Sequence, residues 1–166
     1  MKAKTTPTAA DLAQLDAYHA RVRGHLDRLA VLAARVERGQ LDAETSAEAC
    51  AVEAFFSGSM QAHHRVEEAG VFPQLLASDD TELVNLVRTL QQDHGWMEQN
   101  WLELAPQLRA IAQGNAWVDP AEFMHGAEVF LELGYGHSAL EEAVVYPRAQ
   151  AATDGQAARQ VAGTPG

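Results

Sequence analysis

The sequence predicts an all-α protein, an up-down-up-down four-helix bundle, from three observations. Four long stretches place apolar residues three or four positions apart, which is the spacing of one helix face. Short connections with capping residues separate these stretches, and no stretch alternates apolar and polar residues as a strand does. The 166 residues are 47% apolar, enough for one substantial core. We assign the bundle to residues 11–150 and expect disorder in residues 1–10 and 151–166.

The first helix is expected to begin with Thr8 or Asp11 as its N-cap and to run to about Arg38, with Gly39 just beyond it. Its inward stripe comprises Leu12, Leu15, His19, Val22, Leu26, Leu29, Ala33 and Val36. Only His19 in this stripe is polar, so the helix brings one imidazole to the bundle interior.

The second helix is expected to start after a cap at Asp42 and to stop near the Phe-Pro pair at residues 72–73, because proline disfavours helical geometry in the residue before it. Its inward stripe comprises Ala49, Val52, Phe56, Met60, His63 and Glu67. His64 points about 100° away from His63 on the helix. It lies three residues before Glu67, however, so both histidines flank one carboxylate.

The third helix follows a polar turn at residues 77–80, and Pro106 inside its pattern is expected to kink or break it. Its stripe comprises Leu83, Leu86, Leu90, His94, Met97, Trp101, Leu104, Leu108 and Ile111. The fourth helix is expected to have Asp119 as its cap and Pro120 in its first position. Its stripe comprises Phe123, Ala127, Phe130, Gly134, His137, Glu141 and Val144.

One motif, His-x-x-x-Glu-Glu-Ala-x-Val-aromatic-Pro, occurs at residues 63–73 and again at residues 137–147. A histidine and a glutamate four residues apart lie on the same helix face, where both can reach one bound ion. A single histidine on an apolar face is usually a hydrogen-bonded core residue. Here all four inward stripes contain a histidine, and two of them also contain a glutamate. This favours metal binding, because buried charges are costly unless they are paired or coordinated.

The composition excludes several classes of partner and of binding site. The net charge of −11 disfavours nucleic acid and anionic membrane surfaces as partners. A single cysteine, Cys50, excludes an intrachain disulfide and a thiolate metal site, and we expect it to be packed in its helix. No stretch approaches the roughly 18 apolar residues of a membrane helix, and the N-terminus has no apolar run. We therefore expect a cytoplasmic protein with small partners that are neutral or cationic.

Helix bundles build carboxylate-bridged dimetal sites from inward-facing glutamates and histidines, so Glu67 and Glu141 are the natural bridges here. Imidazole and carboxylate without thiolate suit iron, with manganese and zinc ranked behind it. The expected cofactor is therefore a pair of iron ions.

The pattern resembles the hemerythrin-like (HHE cation-binding) family over residues 11–150. The resemblance rests on a histidine in helices one and three, His-x-x-x-Glu-Glu with an aromatic-Pro pair in helix two, and His-x-x-x-Glu in helix four. It implies one iron bound by His19 and His63, another bound by His94 and His137, and both sharing Glu67 and Glu141. His64 is assigned to the second iron as an extra ligand. The implied ligand set is His19, His63, His64, Glu67, His94, His137 and Glu141.

Two departures separate the chain from the oxygen-carrying members of that family. Those carriers have a histidine where Glu98 follows His94 by four residues. They also have an aspartate five residues after the helix-four histidine, where this chain has Glu142, one residue after Glu141. These departures argue against reversible oxygen carriage. Glu68 and Glu142 are expected beside ligand histidines, and direct ligation by either of them or by Glu98 stays open.

Helix one offers two histidines, and depth along the bundle separates them. At about 1.5 Å per residue, His19 and His63 lie within about one helical turn of the same level, measured from the connection that joins their helices. His25 lies about 9 Å nearer that connection and one position off the apolar stripe. We therefore expect His19 to bind metal and His25 not to.

The expected function is a non-haem di-iron protein that binds or reacts with dioxygen, nitric oxide or peroxide in sensing, storage or protection. Seven protein ligands for two irons that prefer six-coordination leave at least one position open. One alternative is a di-iron enzyme of the peroxidase or oxidase kind, in which Glu68, Glu98 or Glu142 relays protons. The other is a metal-free helical interaction module.

Overall fold

A computed structural model describes residues 7–115 and 117–162 of the chain. Within these residues the fold is helical, with four long helices and no strand. The long helices are α1 (Ala9–Glu37), α2 (Ala43–Val66), α4 (Thr81–Ala112) and α5 (Pro120–Leu140). Two further helices, α3 (Phe72–Leu76) and α6 (Tyr146–Ala162), continue α2 and α5 after π-helical turns at Glu67–Val71 and Glu141–Val145. The predicted all-α bundle is confirmed.

The four long helices form a closed ring, because α1 and α4 each pack against both α2 and α5. Nearly all of the apolar stripe residues are buried. On each helix, the polar stripe residues separate two apolar clusters. The larger cluster is centred on Leu26, Phe56, Trp101 and Phe130, and the smaller on Leu15, Phe72, Leu90 and Tyr146. The histidines and glutamates therefore form a polar layer across an otherwise apolar core.

Helix ends match the predicted capping residues. Thr8 is the N-cap of α1, where its side chain accepts from the Asp11 N–H and its own N–H donates to the Asp11 carboxylate. Gly39, just beyond α1, has a φ of 70°, a left-handed conformation that glycine adopts without a steric penalty. Asp119 caps α5, with Pro120 in the first helical position. Residues 1–6 and 163–166 lie outside the described residues, so the predicted disorder there is not addressed.

The prediction that the second helix stops near the Phe-Pro pair is wrong. The Phe72 N–H donates to Glu67 O, five residues back, so a π-helical turn widens the helix at this point. The helix then continues to Leu76, with Pro73 in the turn that directly follows the widened one. The widened turn changes the helix geometry without ending it.

The second motif copy has the same π-helical turn, with the Tyr146 N–H donating to Glu141 O. An added residue in the turn rotates the rest of the helix, so Val145 is buried in place of the predicted Val144. The chain then stays helical to Ala162, whereas the sequence indicated disorder from residue 151. At the start of α6, Tyr146 and Ala149 pack in the smaller cluster.

Two smaller expectations concern Pro106 and Cys50. The helix α4 is continuous through Pro106, so the proline does not break it. Its ring is exposed, and the carbonyl that it leaves unpaired belongs to Leu102, on an exposed face where water can bond to it. Cys50, expected to be packed, is exposed on α2. Among the described helices, none combines the length and the apolar character needed to cross a membrane.

Candidate metal centre

The first half of the polar layer joins helices α1 and α2. The Nε2 atoms of His19 and His63 lie 3.0 Å apart. The His63 Nε2 is 3.2 Å from Oε1 of Glu67, one helical turn further along the same face. The His19 Nε2 is 3.2 Å from Oε2 of Glu141, across the bundle. The ligand atoms of these four residues all lie within 4.8 Å of one another, and all of the residues except the partly exposed His63 are buried.

The second half repeats this arrangement on α4 and α5. The Nε2 atoms of His94 and His137 are 3.0 Å apart. The His137 Nε2 is 3.1 Å from Oε1 of Glu141, and the His94 Nε2 is 3.4 Å from Oε2 of Glu67. These four residues also have ligand atoms within 4.8 Å of one another, and all four are buried.

Both glutamates belong to both groups, and each directs a different oxygen to each half. Glu67 presents Oε1 to His63 and Oε2 to His94. Glu141 presents Oε2 to His19 and Oε1 to His137. A carboxylate with one oxygen towards each of two positions can bridge two ions. We call the position between His19 and His63 the first metal position, and the one between His94 and His137 the second.

The buried oxygens provide a test of fit for a cation. Oε2 of Glu67 and both carboxylate oxygens of Glu141 are buried without a hydrogen-bond partner. Such oxygens are costly in a protein interior unless a cation neutralises them. The spacing of the donor atoms also agrees with metal binding. Two donors bound at right angles, each about 2.1 Å from one ion, lie about 3 Å apart. The donor pairs here are separated by 3.0–3.4 Å, so the residues present fit a pair of metal ions.

The charge state of the metal-free site supports the same conclusion. Burial raises the pKa values of Glu67 and Glu141, but the close approach of the surrounding histidines outweighs burial and holds both pKa values below the usual range. Burial lowers the pKa of His94, whereas bonding to Glu141, Glu67 and Glu68 outweighs it and raises the pKa to about 10. Without metal, a proton on His94 therefore offsets part of the negative charge of the carboxylates. A bound cation would take over this role.

His64, the seventh predicted ligand, lies in neither donor group. Its ring is buried and stacks on His94, with ring centroids 3.8 Å apart. Burial, and then the neighbouring His94 and His137, lower its pKa to about 2, so the ring is neutral. The Nδ1–H donates to Glu98 at 2.8 Å, which leaves Nε2 unprotonated, as a metal ligand requires. Ligation by His64 stays a prediction.

Outer carboxylates contact the far sides of the ring histidines. The His94 Nδ1–H donates to Glu68 at 2.8 Å, and Oε1 of Glu142 lies 3.3 Å from the His19 Nδ1. The hydrogen bond from His94 is of the kind that fixes the tautomer and orientation of a ligand imidazole, whereas the His19 Nδ1 makes no hydrogen bond. Glu142 also pairs with Arg23 on α1. These glutamates come directly after the two bridging residues in the sequence, so each motif copy supplies a bridge and an outer carboxylate.

Tyr146 is a site residue that sequence reasoning missed. Its hydroxyl donates to Oε1 of Glu67 at 2.5 Å and lies 3.1 Å from the His19 Nε2. Burial and the nearby Glu67 and Glu141 raise its pKa, so the hydroxyl keeps its proton. The only sequence signal was the aromatic position of the motif, where the first copy has Phe72 and the second has tyrosine.

The remaining histidines lie apart from the two donor groups. His25 is half-buried, stacks on Phe55 with centroids 3.8 Å apart, and donates from Nδ1 to Arg21 O. His125 is exposed on α5. Six of the seven predicted ligands therefore converge, and both histidines that were not chosen lie outside the cluster.

The fold and this buried layer define a helical-bundle protein of the cation-binding class. A family model, described as the hemerythrin HHE cation binding domain, matches residues 10–149. The chain belongs to that family. No curated protein and no solved structure matches the chain.

Proposed function

We propose that this protein is a non-haem di-iron protein that binds or reacts with dioxygen, nitric oxide or peroxide in sensing, storage or protection. The observation that carries the proposal is the pair of donor groups that share two carboxylates. Three of the four oxygens of these carboxylates are buried without a hydrogen-bond partner. In this assignment the first iron takes His19 and His63 and the second takes His94 and His137. The shared ligands are Glu67 and Glu141, and iron is preferred to manganese or zinc on the donor chemistry.

A small cavity beside the layer limits the size of the ligand. Its volume is about 20 Å³, and its lining combines His63, His64 and His137 with apolar side chains such as Met60 and Met97. A single water molecule requires about 10–15 Å³ of such space, so the cavity accommodates a molecule of one or two heavy atoms. This cavity favours diatomic gases and peroxide as ligands.

The residues of the chain hold and orient the centre. The imidazoles and carboxylates bind the ions, while Glu68 orients His94 through its Nδ1–H. The apolar clusters on either side exclude bulk water from the layer. An iron pair supplies open coordination positions and electrons to a bound small molecule.

Metal analysis tests the proposal directly. The protein, loaded anaerobically with Fe²⁺ and desalted, should retain about two irons per chain and develop charge-transfer absorption on oxidation. Chelation should lower its melting temperature, because a ligand that binds only the folded state stabilises that state. No bound metal, or zinc alone after expression with iron available, would refute the proposal. A melting temperature unaffected by chelation would instead support a metal-free interaction module.

One observation favours an enzyme as the second candidate function. Glu68, Glu98 and Glu142 each contact a layer histidine on one side, and their side chains are 41%, 34% and 27% exposed. They therefore connect the buried layer to solvent, as a proton relay requires. Steady-state peroxide consumption, or Fe²⁺ oxidation, that exceeds the rate of a His94→Ala variant would establish catalysis. Equal rates would leave ligand binding as the function.

A further inference from the structure

The two metal positions are related by the internal repeat, so corresponding residues can be compared within one chain. The ring of His19 stacks on Tyr146, with centroids 5.2 Å apart, and the ring of His94 stacks on Phe72, with centroids 5.6 Å apart. Both aromatic residues come directly after a π-helical turn and pack in the smaller apolar cluster. The positions therefore differ here by a single hydroxyl group.

That hydroxyl forms a hydrogen bond with one oxygen of one bridging carboxylate. The Tyr146 hydroxyl donates to Oε1 of Glu67, which faces the first position, whereas Oε2 of Glu67 and both oxygens of Glu141 have no hydrogen-bond partner. The separation of 2.5 Å is that of a hydrogen bond from a hydroxyl to a carboxylate. It is shorter than the 3.0–3.4 Å between the donor pairs around each position. The hydroxyl also lies 3.1 Å from the His19 Nε2, within that range, and we assign it to a hydrogen bond with Glu67 because this contact is the shorter one.

We propose that Tyr146 is a positioning residue that holds Glu67 by this hydrogen bond and makes the first metal position bind its ion more tightly than the second. A donor oxygen that is already oriented loses less freedom when the ion binds. Partners that orient metal ligands typically contribute about tenfold to a hundredfold to metal affinity. At the second position, Phe72 has no group that can hold Glu141, and the Glu67 oxygen that faces this position, Oε2, accepts no hydrogen bond. This inference rests on the proposed metal site.

The test uses anaerobic Fe²⁺ titration against a coloured chelator. The wild-type protein should bind two ions in two steps separated by about tenfold to a hundredfold. Tyr146→Phe should weaken the tighter step by that factor and bring the two steps together. Phenylalanine already occupies the equivalent position 72, so this variant is expected to fold, and the melting temperature of the metal-free protein checks it. Tyr135→Phe is the matched control, since it removes an exposed tyrosine–carboxylate bond to Asp27 on another face.

Variants that retain the donors of one metal position show which position Tyr146 affects. In His94→Ala, which retains the donors of the first position, Tyr146→Phe should weaken the remaining ion about tenfold or more. His19→Ala retains the donors of the second position. In this background, adding Tyr146→Phe should change the affinity for the remaining ion less than about twofold. Equal effects in the two backgrounds, or no effect in either, would overturn the inference.

A spectrum separates positioning from ligation. Loaded with Fe³⁺, the wild-type protein should lack an intense phenolate-to-iron band in the visible region, because the hydroxyl bonds to Glu67 and not to iron. A band that Tyr146→Phe abolishes would overturn the positioning role by making Tyr146 a ligand. A wild-type protein that binds no iron would refute the proposed function itself, which is a different result from an unchanged Tyr146→Phe variant.

Discussion

Replacing either histidine of α1 by alanine provides the sharpest test of the metal assignment. His19 is buried, with its Nε2 3.0 Å from that of His63 and 3.2 Å from Glu141. His25 lies more than one turn further along α1 and stacks on Phe55 outside both donor groups. We expect His19→Ala to lower bound iron from about two ions per chain to one or none, and His25→Ala to leave two.

The loss of an ion should also lower the melting temperature. An ion present at a hundred times its Kd stabilises the fold by about 2.7 kcal/mol. For a chain of this size that corresponds to roughly 5–11 °C in melting temperature for each ion lost. Metal content after anaerobic loading and desalting, together with melting curves with and without chelator, measures both effects. If His25→Ala lost the metal while His19→Ala retained two ions, the assignment on α1 would be refuted.

Two further outcomes are expected from local packing and hydrogen bonding. A Cβ at Gly134 would lie 2.9 Å from a buried methyl group of Leu26. Gly134→Ala should therefore destabilise the protein by about 1 kcal/mol in urea unfolding, because overpacking of about 1–3 kcal/mol exceeds the helix-propensity gain of about 1 kcal/mol. Gly136→Ala, with open space around it, should instead stabilise the protein by roughly 0.5–1 kcal/mol, and the same sign for both variants would contradict this packing. Glu68→Ala removes the acceptor of the His94 Nδ1–H and should weaken metal binding by about tenfold to a hundredfold in the same titration, whereas an unchanged affinity would show that this bond does not orient the ligand.

The helix positions and the residues of the polar layer could be predicted from the sequence, because both depend on the spacing of residues along a helix. The stripe that includes Leu15, His19 and Val22 predicted one face of α1, and those residues are buried together. A His-x-x-x-Glu pair needs only helix geometry to share a face, so His63 with Glu67 and His137 with Glu141 were identifiable without tertiary information.

Local spacing misled where backbone geometry departed from an ideal α-helix. Pro73 indicated a helix end, but the π-helical turn at Glu67–Val71 carries the chain past it. The equivalent turn places Val145 inward in place of Val144. Such turns depend on how the whole bundle packs around the layer, which a window of helical periodicity does not contain.

The sequence by itself determined the helical class, the family and the residues that form the polar layer, because the repeat and its spacing specify which side chains share a helix face. Only the tertiary structure decided which oxygen of each bridge faces which position, that His64 bonds to Glu98 outside both donor groups, and that Tyr146 reaches Glu67. The physical reason is distance along the chain. Tyr146 and Glu67 lie 79 residues apart, and their contact exists only once the diagonal helices α2 and α5 both pack against α1 and α4 in the closed ring.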